Sequence, residues 1–82
     1  MSPDDIKKSI SENLDCESLT VDGDGVHFEA QIVSNKFSGV SRVGRHKMVY
    51  QILGDKMKVE IHALSIKAYT VREWKEKLSG KI

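Results

Sequence analysis

Val26-His27-Phe28-Glu29-Ala30-Gln31-Ile32-Val33 alternates apolar and polar residues as far as Ile32. Phe28, Ala30 and Ile32 fall on one face of an extended chain, and His27, Glu29 and Gln31 fall on the other, the signature of a half-buried strand. Immediately upstream, Leu19-Thr20-Val21-Asp22 alternates in the same way. Gly23-Asp24-Gly25 stands between the two runs as a turn in which both glycines supply backbone freedom, so the pair reads as a β-hairpin with a tip a little longer than two residues. Further toward the N-terminus, Ser2-Pro3-Asp4-Asp5 is a helix start. Ser2 serves as cap, Pro3 suits the first helical position, and the two acids sit at the positive end of the dipole. Ile6, Ile10 and Leu14 then recur four apart, which predicts a helix from about Pro3 to Asn13.

Downstream of the hairpin, Ser34 to Gly39 reads as a connector. From Ser41 the period changes: Val49, Ile52 and Leu53, with Val43 and Tyr50 on neighbouring positions, predict a helix from about Val43 to Leu53, ended by Gly54. A short Lys-rich turn leads to a third strand, Ile61 to Tyr69, with Leu64, Ile66 and Ala68 inward. Thr70-Val71-Arg72-Glu73 fits a capping box, and Val71, Trp74 and Leu78 mark the apolar stripe of a last helix, with Ser79 to Ile82 fraying. The order is α-β-β-α-β-α. Because the second and third strands are joined through a helix, they pair in parallel by a right-handed crossover. The expected fold is α+β, a three-stranded mixed sheet with the helices packed on one face.

The whole chain, 1–82, is one domain with a modest core and no deep substrate cavity. Hydrophobic residues at 39% and charged residues at 30% are ordinary for a folded globule. No apolar run approaches the roughly 20 residues of a membrane span, and the acidic start is unlike a signal segment, so a cytoplasmic protein is expected. A single cysteine, Cys16, excludes an internal disulfide and an all-cysteine metal finger. The net charge of +1 hides an asymmetry: residues 1–41 carry three lysines against eight acids, whereas residues 42–82 carry ten Lys and Arg against four acids. A basic face for nucleic acid or an acidic protein follows.

Phosphate loops, a nucleophile elbow and Cys-x-x-Cys are all missing from the sequence, so no enzyme is expected. Asp22 and Asp24 suit a turn. His27 opens the second strand and His62 the third; in a parallel pair these starts share one end of the sheet, within reach of one metal centre. Alternation complicates this, since His27 has the parity opposite to Phe28 while His62 shares that of Leu64. Two imidazoles do not fill a coordination sphere, so a partner must complete it. From the residues alone, a solvated His27 and a partly buried, backbone-bonded His62 are the preferred account. Arg42, Arg45, His46 and Lys47 gather at the start of the central helix, where side chains and free amides attract phosphate, with His46 an anchoring donor. A solvated charged face is the plainer alternative, because aromatic residues to stack on bases are few. Cys16 is read as a half-buried structural residue, and Phe28, Tyr50 and Trp74 as core.

The segments Phe37-Ser38-Gly39, Arg45-His46-Lys47-Met48-Val49-Tyr50, Ile61-His62-Ala63-Leu64-Ser65-Ile66-Lys67 and Thr70-Val71-Arg72-Glu73-Trp74, in this order and spacing, closely resemble the BolA family over nearly the whole chain. The resemblance implies a fold like a class II KH domain, without the Gly-x-x-Gly clamp that binds RNA. It implies pairing with a monothiol glutaredoxin and sharing of a 2Fe-2S cluster, the glutaredoxin giving a cysteine and bound glutathione a second thiolate. His62 then matches the family's C-terminal histidine ligand, and His27 lies in the hairpin region that holds the second. The free protein would be a monomer and the complex a heterodimer. Some BolA-like proteins bind DNA and regulate transcription, which would fall on Arg42, Arg45 and Lys47 here. Val71 departs from the family's common proline, with Thr70 and Glu73 still able to cap the helix.

Overall fold

The structure, a computed structural model, describes residues 2–54 and 63–79. Helix α1 spans Pro3–Asn13, strand β1 Ser18–Gly23, strand β2 His27–Val33, a short 3-10 turn Asn35–Phe37, helix α2 Arg42–Leu53, strand β3 Ala63–Tyr69 and helix α3 Val71–Ser79. The sheet order is β1-β2-β3. β1 pairs antiparallel with β2, Ser18 opposite Val33 and Gly23 opposite Phe28, and β2 pairs in parallel with β3, His27 beside Ala63 and Val33 beside Tyr69. The expected α+β fold and mixed sheet are therefore present. The predicted Lys-rich turn, the first two residues of the predicted third strand, His62 among them, and the last three residues of the chain lie outside the described residues.

Each element starts where its local chemistry dictates. The Ser2 side chain accepts from the Asp5 amide at 3.3 Å while the Asp5 carboxylate accepts from the Ser2 amide at 3.0 Å, a closed capping box at α1. Ser41 caps α2 by accepting from the Gly44 amide at 3.1 Å. Gly54 ends α2 with φ 56 and ψ −130, a backbone conformation reserved to glycine. In the hairpin, a Cβ at Gly23 would sit 2.5 Å from Cδ1 of Phe28, so the close approach of that ring requires glycine. Val26 belongs to the turn, not to the strand, and is exposed.

The core lies between the sheet and the first two helices. Ile6, Ile10 and Leu14 meet Phe28, Ala30 and Ile32 of β2, Val49 and Leu53 of α2, and Ile66 of β3, all buried. Phe37 joins them with no exposure. The connector is thus part of the core, which its polar neighbours concealed. Ser34 holds it there: its hydroxyl donates to the Asp15 carbonyl at 2.6 Å and accepts from the Lys36 amide at 3.1 Å, and its own amide donates to the Tyr69 carbonyl at 2.9 Å.

Two expectations about the core are corrected, those for Tyr50 and Trp74. Tyr50 is 41% exposed. Tyr50 follows Val49 by one residue and is rotated about 100° from it around the helix, outside the arc that faces the sheet. Leu78, on the stripe of α3, is 54% exposed, while α3 meets β3 through Trp74 and Lys77 against Tyr69, the Trp74 and Tyr69 ring centres 5.5 Å apart. Trp74 itself is half-buried rather than core.

Candidate functional site

His27 stands at the start of β2, with its side chain 75% exposed. Asp24 fixes it there. One carboxylate oxygen of Asp24 accepts from the amides of Val26 at 2.9 Å and His27 at 2.8 Å, an Asx turn, and the other lies 3.8 Å from Nδ1 of His27. Those two amides, and then His27 itself, hold the Asp24 carboxyl below the usual carboxylate range. At that distance the two side chains are neighbours with no hydrogen bond between them. The Asx turn sets the backbone at His27, and the exposed imidazole can offer a ring nitrogen to a centre held from outside this chain. His27 is in register with Ala63, the chain neighbour of His62. Among the described residues no three His, Cys, Asp or Glu side chains gather as a metal site. Imidazole nitrogen suits an iron centre, but this end of the sheet would hold one only with further ligands from elsewhere.

The basic cluster divides on inspection. Arg45 is turned inward, its side chain 12% exposed. Its Nε donates to the Val40 carbonyl at 2.9 Å, its Nη1 to the Ala68 carbonyl at 3.1 Å and to Glu73 Oε1 at 2.6 Å, and its Nη2 to Glu73 Oε2 at 3.3 Å. The guanidinium lies 5.8 Å from the Phe37 ring centre. Arg45 therefore ties α2 to β3 and α3. Arg42 and Lys47, by contrast, are exposed. Arg42, Arg45 and half-buried His46 line one wall of an open groove of about 460 Å³, whose other sides are Ile66 to Tyr69 of β3 and Glu73. The Glu73 carboxyl is lowered to about 2, first by Arg45 and then by the Thr70 amide, which donates to it at 2.8 Å. Thr70 Oγ1 accepts from the Glu73 amide at 3.1 Å in return, so the capping box read from the sequence is in place and carries an ion pair besides.

Cys16 is half-buried, and its thiol donates to the Leu14 carbonyl at 3.3 Å. Burial, with the Asp15 charge adding to it, pushes this thiol up, which makes it a poorer nucleophile. The described helices include none long and apolar enough to cross a membrane. Sequence reading took Asp24 for turn chemistry only. Its spacing, three residues ahead of His27 across a glycine, is the signal that it also fixes the backbone at that histidine.

Comparison with known proteins agrees with this architecture. The family model described as BolA-like protein matches residues 7–73. The chain is 36% identical over 86 residues to the DNA-binding transcriptional regulator BolA of Vibrio cholerae, covering 93% of this chain and 81% of that protein. It is 39% identical over 83 residues to the acid stress protein IbaG of Escherichia coli, covering 98% of this chain and 99% of that one. The crystal structure of a bol-like protein from Babesia bovis superposes with a TM-score of 0.86 at 28% identity, covering 95% of this chain and 94% of that one. With a family match over residues 7–73 and relatives 36% and 39% identical over most of its length, this chain belongs to the BolA-like protein family.

Proposed function

We propose that this protein is an adaptor that pairs with a monothiol glutaredoxin and contributes His27 and His62 to a shared 2Fe-2S cluster. It acts as a monomer that forms a heterodimer with its partner. The observation that supports this reading is the placement of His27, exposed at the open start of β2, anchored through its amide by Asp24, and in register with Ala63, to which His62 is joined. When bound, the cluster supplies a one-electron centre, completed by a glutaredoxin cysteine and the thiolate of glutathione. The part of this chain is to offer neutral nitrogen donors, which raise the potential relative to thiolates and which protons compete for as the pH falls. Asp24 anchors the backbone that carries one imidazole, through the His27 amide. No substrate bond is made or broken in this role, and a cytoplasmic setting, where thiols stay reduced, fits it.

The test is anaerobic reconstitution of iron and sulfide with the protein, a monothiol glutaredoxin and glutathione, followed by visible circular dichroism. The wild-type mixture is expected to give a spectrum distinct from that of the glutaredoxin alone, and His62→Ala and His27→Ala are each expected to change it. A mixture spectrum equal to that of the glutaredoxin alone would sink the proposal. If both variants matched wild type, the histidines would have no part in it.

A second reading has its own support. Arg42 and Lys47 are exposed on α2, and the Vibrio cholerae relative is named a DNA-binding transcriptional regulator. On this reading the protein holds duplex phosphates with those two side chains.

A further inference from the structure

β3 is an edge strand, and its outer edge is open. The Tyr69 carbonyl points to β2, where it accepts from the Ser34 amide at 2.9 Å. Alternation along the strand then turns the N–H and C=O groups of Ala68, Ile66 and Leu64 away from β2. Of these, the Ala68 carbonyl is taken by Arg45 at 3.1 Å. Among the described residues no strand pairs with the edge at Leu64 and Ile66. Natural sheets blunt such an edge with proline, a bulge or an outward lysine. Here Ala63–Tyr69 has no proline, and its one lysine, Lys67, is drawn across the sheet to Glu29 at 2.8 Å. Lys67 therefore does not guard the edge.

The edge borders the groove of about 460 Å³ described above. The groove's charge is one-sided. Glu73 is paired with Arg45 and Lys67 with Glu29, which among the described residues leaves Arg42 as the groove's free cation, with half-buried His46 beside it. Val43 and Tyr50 lie three residues before and four after His46 on the same stripe of α2, and they are 65% and 41% exposed. An unpaired backbone, a cationic wall and two exposed apolar side chains are the components of strand-addition recognition, in which main-chain bonds hold an extended segment and the flanking wall reads alternate side chains.

We propose that the β3 edge and the adjoining flank of α2 bind an extended, acidic segment of a partner polypeptide as a fourth strand. Charge complementarity selects this occupant over a second copy of the chain, because pairing two such edges would bring Arg42 against its own counterpart. The site is on the opposite side of β3 from β2 and uses neither His27 nor the exposed Lys47.

The probe is a fluorescein-labelled seven-residue peptide of alternating glutamate and valine, titrated by anisotropy and followed by amide NMR of the whole protein. Saturable binding is expected, with the largest amide shifts at Leu64, Ile66 and Ala68. Replacing Arg42→Glu, at an exposed position outside the Arg45 ion pair, is expected to weaken binding at least fivefold with an unchanged fold. The same peptide N-methylated at alternate amides is expected not to bind. Shifts centred on β1 or α1, or equal affinity for the N-methylated peptide, would overturn the proposal. So would β3 shifts that depend on protein concentration without peptide, which would make the occupant a second copy. A 20-base-pair duplex that displaced the peptide while shifting the same β3 amides would make the groove a nucleic-acid site and overturn it likewise.

Discussion

Glu73 does two jobs with one carboxylate. It closes the capping box of α3 with Thr70 and receives two guanidinium bonds from Arg45. Because its folded value is about 2, below the ordinary 4.5, it contributes stability that is fully present above about pH 4.5 and fades as the pH falls toward 2. The same direction holds for Glu29, lowered by Lys67, and for Asp24, lowered by the turn amides. We expect the urea midpoint of the wild type to fall between pH 5 and pH 2.5, and Glu73→Gln to flatten that fall while lowering stability at pH 7 by about 1 kcal/mol, a figure discounted for its exposed side chain. An unchanged pH slope in the variant would show that other carboxylates carry it. Arg45→Ala should cost more, about 2 to 3 kcal/mol, since it strips partners from Val40 and Ala68 as well. Sequence reading placed Arg42 and Arg45 together, one turn apart. Only the position of Glu73, far along the chain, decides that one of them points inward.

Among the elements, those that announce themselves by period or by caps were legible. The hairpin, α1 with its serine and proline, the stop at Gly54 and the Thr70–Glu73 box are all local signals, and the structure contains each. The 3-10 turn was not legible, because three residues have no period and Phe37 stands alone among Ser34, Asn35, Lys36 and Ser38. Its burial is set by the core it joins, which gathers residues from α1, β2, α2 and β3 and so cannot be read from the connector itself. Phe37→Ala is expected to lower stability by about 3 to 5 kcal/mol, measurable as an earlier urea midpoint, because the emptied space is walled by elements that cannot all close in. A loss under 1 kcal/mol would mean the turn is free to collapse. Tyr50 and Leu78 illustrate the converse limit. Apolar identity at helical spacing predicts that a stripe exists, but which of its residues are covered depends on the arc of the helix that meets a neighbouring element.

Over the whole molecule, the two halves of the charge asymmetry meet at one point, where Glu29 pairs with Lys67, and stay apart at others. The acidic Asp24 turn lies at the hairpin tip, and the cations Arg42 and Lys47 lie on α2. If the duplex reading is correct, the logarithm of the affinity should fall linearly with the logarithm of salt, and Arg42→Ala and Lys47→Ala should each reduce that slope by about 1. Equal slopes in wild type and both variants would remove α2 as the contact. Arg45→Ala is a poor probe of the same question, since it disturbs the fold. His27 and its carboxylate are at a different end of the sheet from the Arg45 ion pair, so loss of a histidine should leave duplex affinity unchanged.

Because β2 pairs in parallel with β3, His27 must find Ala63 and Val33 must find Tyr69 across the whole of α2. No tight turn can zip this half of the sheet together, and the entropy of closing so long a loop falls due before any β3 contact repays it. The hairpin can form early; the third strand cannot. During synthesis the central strand therefore waits with one side unpaired until β3 has emerged, and in that interval the nascent chain, rather than the finished protein, has the greater need of protection from aggregation.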